Sequence, residues 1–313
     1  MSSQITTAFV KQFNSNVFHL SQQKGSRLRS LVRNESQNGK SQFFDRIGSV
    51  TAQKKSSRHS DTPLIDTPHS RRRVTLSDYE HADLIDDADK IRLLIDPASQ
   101  YSLAFSYAFG RAMDDEIISA ALGNAYGGEE GASTISLPAA QKVAAHDGTT
   151  TTGVNLNVMT LRKVKEKFDS NDVDESIPKH MAIGSSQLQS LLAETEVTSS
   201  DFASVKALVQ GEIDSFMGFK FVRSERLPQS ASNITYNVVS GVTGSGTGTI
   251  TAANSRRCLA WAQDGLILSI GSDQKARMSE RDDKSYSMQV FMAMGIGSTR
   301  IEEEKVVEVD CSE

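Results

Sequence analysis

The chain has 313 residues, 38% hydrophobic and 23% charged. That is apolar material enough for two core-bearing units, because single cores stop growing near roughly 250 to 300 residues. No run approaches the roughly 18 apolar residues of a membrane helix, and the opening MSSQITTAFVKQF lacks the charged-then-apolar order of a signal peptide, so the sequence reads as intracellular, with no membrane contact. The net charge of −5 is uneven: residues 1–73 hold 13 Lys and Arg against four acids, a surplus of +9, and the remainder carries −14. A basic arm on an acidic body serves either a nucleic acid or an acidic surface on another copy.

The basic segment has no zinc-finger spacing and no aromatic-interleaved strand motif, so sequence-specific nucleic-acid recognition is not expected. Phe9, Phe13 and Val17, followed by Leu20, Leu28 and Leu31, predict a short amphipathic helix within residues 5–34. After Gly39, residues 41–81 form two extended stretches around a tip rich in Lys, Ser and His, with Pro63 and Pro68 on the return. This two-stranded excursion has too few large apolar residues for a core of its own and must lie on something else.

The strongest helix follows, with Asp96 as cap, Pro97 at the first helical position, Tyr101, Phe105 and Phe109 on one stripe, and Gly123 as the stop. About 26 residues at 1.5 Å each give a rod on the order of 40 Å, a spine for what packs on it. A Gly/Thr-rich loop with a short strand near residues 135–137 leads to a helix over 160–168 and a strand over 180–183. Next come a helix capped by Ser185 or Ser186 with Leu188, Leu191 and Leu192 inward, and another over 200–210 with Phe202, Val205 and Val209 on its face. From Gly211 to Cys311 the pattern is of short strands. Helices alternating with strands, then strands alone, make an α+β protein with two sheets.

No cluster in the chain could run a reaction. The six histidines show no metal-ligand spacing. Gly244, Gly246 and Gly248 lack the Lys-Ser/Thr pair of a phosphate loop and read as a surface loop. Asp114, Asp115 and Glu116 fan around the spine helix as a solvated or partner-facing patch, and Asp83, Asp86, Asp87 and Asp89 are available to a basic partner. Cys258 and Cys311 read as small buried side chains. No enzyme, cofactor or metal is expected; the product is a shape.

The order of elements resembles the major capsid proteins of tailed bacteriophages, with the Hong Kong 97 type of shell fold. The runs that carry it are FFDRIGSV, RRRVTLSDYEHADLIDDADKIRLLIDPASQYSLAFSYAFGRAMDDEIISAALGNA, PKHMAIGSSQLQSLLAETEVTSSDFASVKALVQGEIDSFMGFKFVRSERLP and GIGSTRIEEEKVVEVDC. The resemblance implies an N-terminal arm over 1–40, an extended two-stranded loop over 41–81 and a peripheral domain with the spine helix over 82–153. An axial domain over 154–283 and C-terminal strands over 284–313 complete it.

It also implies hexamers and pentamers around double-stranded DNA bound without sequence preference, in a virion assembled in the host cytoplasm. A separate scaffolding protein, a portal and a decoration or cement protein are the further partners. Arg71, Arg72, Arg73, Lys54 and Lys55 are expected to meet carboxylates such as Asp86, Asp87, Asp114 or Glu116 on neighbouring copies. The alternatives are an encapsulin-like compartment for protein cargo and a nucleic-acid-binding protein using residues 1–73.

Overall fold

The computed structural model describes residues 21–55, 57–58, 64–85, 98–145, 154–194, 215–230, 234–238, 246–250 and 255–313. In chain order the first strands are β1 (Arg33–Ser36), β2 (Ser41–Ile47), β3 (His69–Thr75) and β4 (Ser77–Ile85), followed by helix α1 (Ala98–Leu122). Next are β5 (Ala125–Gly127), β6 (Ser133–Ile135), β7 (Lys142–Ala144), helix α2 (Val158–Ser170), β8 (Lys179–Ile183) and helix α3 (Ser185–Ala193). The rest is strand: β9 (Ser215–Phe216), β10 (Phe219–Arg223), β11 (Ile234–Val238), β12 (Gly246–Ile250), β13 (Ser255–Ala262), β14 (Leu266–Arg281), β15 (Ser287–Arg300) and β16 (Val306–Ser312). The phenylalanines and Val17 expected on the first helix, the Asp96–Pro97 cap and the helix over 200–210 fall outside the described residues.

Two compact units share the chain. One comprises residues 1–26, 78–112 and 272–295, and the other 27–77, 113–271 and 296–313. In the first, β4 lies beside β15 and β15 beside β14. The α1 stripe buries Phe105 and Phe109 there, and His81 meets Phe105 edge-on at 4.2 Å. Tyr101, also on the stripe, remains exposed. A Cβ on Gly110 would come within 2.4 Å of the Gly25 backbone, so glycine is required where the incoming chain crosses the helix.

The second unit is built on a six-stranded sheet of order β7-β16-β13-β8-β10-β9. Directly paired residues share a face. One face carries Met181, Ala260 and Val307, and α2 covers it with Leu161, Val164 and Phe168, the last 5.9 Å from the Phe219 ring. Asn157 caps α2 by accepting from the Thr160 N–H at 2.8 Å, so the helix begins at Val158, two residues before the expected start. The other face carries His180 and Trp261, whose indole Nε1 donates to the Leu31 carbonyl at 3.0 Å. His180 is thus a core residue rather than a surface one, and burial, with Lys220 adding to it, pushes its imidazole toward the neutral form. Cys258 and Cys311 are buried thiols on neighbouring strands, two residues out of register, Cys258 opposite Val309 and Cys311 opposite Arg256.

Several expectations need correction. Four sheets are present among the described residues rather than two. The C-terminal third is not uniformly short-stranded, because β14 and β15 run 16 and 14 residues. Gly246 and Gly248, assigned to a loop, sit in β12, which pairs antiparallel with β11. Within residues 5–34 the described part contains only a 3-10 turn, Arg29–Leu31, since Leu28 is drawn into the core and leaves no second apolar turn to propagate a helix. In α3, Gln187 and Leu191 are buried and Leu188 and Leu192 half-buried, with Gly184 rather than a serine at the cap position. No helix among the described residues is long and apolar enough to cross a membrane.

Candidate functional site

The extended loop leaves the second unit as a hairpin. Strands β2 and β3 pair antiparallel from Ser41↔Thr75 to Ile47↔His69, and β3 continues the sheet to β5 and β6. Alternation along β2 half-buries Gln42, Phe44 and Arg46 and turns their neighbours to solvent. At the end of the paired part Ile47 is exposed, and beyond it Val50, Leu64 and Ile65 are exposed too, Leu64 to 97%. Lys54 and Lys55 are exposed on the same stretch. A run of aliphatic side chains held away from any core is a surface that another molecule would cover.

At its base the hairpin is held by one carboxylate. Glu303 is buried, and Arg72, 2% exposed, donates from Nη2 to both its oxygens at 2.6 and 2.7 Å. Arg46 Nη1 lies 3.7 Å from Oε2 and donates to the Ile301 carbonyl, and Arg300 Nε lies 3.7 Å from Oε1. Arg300, fully buried, also donates to the carbonyls of Ala121, Gly123 and Ile135 at 2.7, 2.9 and 3.1 Å. It thereby caps the end of α1, where the helix dipole is negative. Burial pushes the Arg300 guanidinium below its ordinary value, Glu303 pulls it up, and Arg72 pushes it down again. Three guanidiniums around one carboxylate join loop, spine end and the 301–305 turn.

The arginines flanking Arg72 are also engaged within the chain. Arg71 pairs with Asp45 at 3.1 Å and lies over the Phe43 ring at 5.5 Å. Arg73 lies over Tyr126 at 5.4 Å and donates to the Glu130 carbonyl at 3.2 Å. It is received by Gly131, whose φ of +71° and close contact with the Arg73 side chain exclude a Cβ.

The acidic residues selected from sequence have separate fates. Asp114 is fully buried and accepts backbone N–H bonds from Arg27 and Leu28 at 3.1 to 3.2 Å, which ties the base of the arm to α1. It is not a partner-facing group, and neither is Arg72; both were expected between copies, and burial in their own chain corrects that. Asp115 forms an exposed two-pronged pair with Arg226, and Glu116 is half-buried. Asp86 and Asp87 lie outside the described residues. Glu303, Arg300 and Arg46 were not singled out from sequence. The only hint was the acidic run Glu302–Glu304, separated by one residue from Arg300 at the end of an apolar strand.

Among the described residues no three His, Cys, Asp or Glu side chains gather as a metal site. What the geometry presents is a hairpin with exposed aliphatic residues, a charge-locked base, and a long helix tied through Asp114 to the backbone of Arg27 and Leu28. The chain belongs to the phage capsid protein family, whose model matches residues 5–313. It is a phage capsid protein, a shell subunit of the virion.

Its fold is similar to the capsid of Cyanophage P-SCSP1u, with TM-score 0.70 and 18% identity over 99% of this chain and 94% of that one. The capsid of Cyanophage Pam1 gives TM-score 0.71 and 14% identity over 98% and 97%. The capsid of the Helicobacter pylori bacteriophage KHP30 gives 0.70 and 10% over 100% and 98%. These likenesses identify the α+β fold as the Hong Kong 97 type. No curated protein sequence matches the chain.

Proposed function

We propose that copies of this chain form hexamers and pentamers of an icosahedral head around double-stranded DNA, which they contain without reading its sequence. The single observation that carries this reading is the hairpin over residues 41–81, with its aliphatic residues exposed and its base locked to the body. Such a loop is complete only when laid on a neighbour.

The parts are assigned as N-terminal arm (1–40), extended loop (41–81), peripheral domain with the spine (82–153), axial domain (154–283) and C-terminal strands (284–313). Lys54, Lys55 and the exposed side of Arg71 are the cations left to meet neighbouring carboxylates, among them Asp86, Asp87 and Glu116. Exposed pairs contribute at most about 1 kcal/mol each, so the aliphatic contact and the repetition of both across a shell must supply the rest. A separate scaffolding protein, a portal and a decoration protein complete the partner set.

Expression of the chain alone and with neighbouring genes, followed by electron microscopy, tests the proposal. Closed heads that require a co-expressed scaffold are expected. Shells that close unaided around an enzyme would instead indicate a protein-cargo compartment. Soluble subunits that bind DNA with steep salt dependence would indicate a nucleic-acid-binding protein.

A further inference from the structure

The strand β16 carries two carboxylates that its environment treats unequally. Glu308 and Asp310 are two residues apart, so they share one face of the sheet, and both are 2% exposed. Glu308 has two cations: Arg257 on β13 donates to its Oε1, and Lys142 on β7 lies 3.1 Å from its Oε2. Arg300 on β15 adds a third positive charge acting on Glu308. Asp310 is paired in register with Arg257 and Ala144, yet its Oδ1 is buried without a hydrogen-bond partner. The cleft that Arg257 lines also holds the ion pair of Asp115 on α1 with Arg226, beside the uncharged Ile118, Ser119 and Leu122. Residues 246–250 of β12, which also approach β16, contain no ionisable group. The direct contacts of both cations go to Glu308, and Asp310 is left beside that carboxylate with a buried, unpartnered oxygen.

We propose that Asp310 is protonated in mildly acidic solution and acts as a built-in pH-sensitive element, its ionisation toward neutral pH weakening the β7-β16-β13 part of the sheet. A second buried anion beside Glu308 would face both desolvation and repulsion. Burial first and Glu308 second push the Asp310 carboxyl up to about 7, with Arg257 and Lys142 pulling it back.

The folded chain therefore keeps a proton that the unfolded chain releases near the ordinary carboxyl value of 3.8. The group costs nothing below that value, reduces stability progressively as pH rises toward about 7, and adds no further dependence above it. Raising the pH from 5 to 8 should increase the unfolding equilibrium constant on the order of 100-fold through this group.

The test is chemical unfolding of the full chain at pH 5 and pH 8, wild type against Asp310→Asn, together with the infrared band of a protonated carboxyl at pH 6. The expected result is a pH dependence flattened by most of that factor in Asp310→Asn, and a wild-type band that disappears in the variant. A variant equally destabilised at both pH values with the slope intact would overturn the proposal, because Asp310 would then be working as an anion. The wild-type band keeps the test decisive if Asp310→Asn does not fold. It should also be lost at pH 6 in Glu308→Gln, where Arg257 and Lys142 become free to hold Asp310 ionised, and its absence from wild type would overturn the inference.

Discussion

Replacing Glu303 by Gln removes the one negative charge at the base of the extended loop and leaves the guanidiniums of Arg46, Arg72 and Arg300 around a neutral amide. Arg72 makes two charge-assisted bonds to the carboxylate at 2.6 and 2.7 Å, and Arg72 and Arg300 are both almost inaccessible to solvent. Removing one partner of such a buried arrangement costs about 3–5 kcal/mol, mostly because the surviving charges cannot be solvated. The exposed neighbour Glu304, changed to Gln, should stay within about 0.5 kcal/mol of wild type.

Denaturant unfolding of both variants gives the global figure. Hydrogen exchange gives the local one, with accelerated opening expected over residues 41–47 and 69–75, where the hairpin is anchored. A double-mutant cycle with Arg72→Met should return a coupling of about 1.5–3 kcal/mol, as both members of the pair leave together. Glu303→Gln with wild-type stability and unaltered exchange in the hairpin would refute the claim that this carboxylate locks the loop.

Other perturbations separate fold from assembly. Leu64→Ser with Ile65→Ser should leave subunit unfolding within about 0.5 kcal/mol, since both are exposed, while reducing particle yield on sucrose gradients. Gly110→Ala should destabilise by about 1–3 kcal/mol in a thermal melt, because its Cβ would meet the Gly25 backbone at 2.4 Å. Asp114→Ala should cost about 1–3 kcal/mol and increase proteolysis ahead of Leu28, because the N–H groups of Arg27 and Leu28 lose their acceptor. Phe168→Ala should cost about 3–5 kcal/mol in denaturant unfolding by opening a cavity between α2 and the sheet.

The spine and the loop were readable from local pattern. The Phe105 and Phe109 stripe runs at helical spacing and Gly123 ends the helix, its N–H bonding the Ser119 carbonyl at 2.8 Å. The hairpin announced itself by lacking a core. What stayed hidden depends on long-range partners. Asp114, Asp115 and Glu116 fan around the helix and read alike in the sequence, and only the passage of Arg27 and Leu28 makes Asp114 the buried one.

Among the acids after Arg300, only Glu303 turns toward Arg72, 231 positions away. The charges of Arg71 to Arg73 implied contacts between molecules, yet alternation on β3 sends Arg72 into the body, and Phe43 and Tyr126 engage the other two. The length of β14 was obscured because its last residues are exposed on both faces and give no period-two signal.

The central claim is that the coreless hairpin is completed by another copy of the chain. A cryo-electron microscopy reconstruction of assembled particles, at a resolution that shows side chains, tests it most directly. Ile47, Val50, Leu64 and Ile65 should lie buried against a neighbouring subunit while Glu303 still holds Arg72 at the loop base. Particles in which those four residues face solvent, or the loop folds back on its own subunit, would contradict the account.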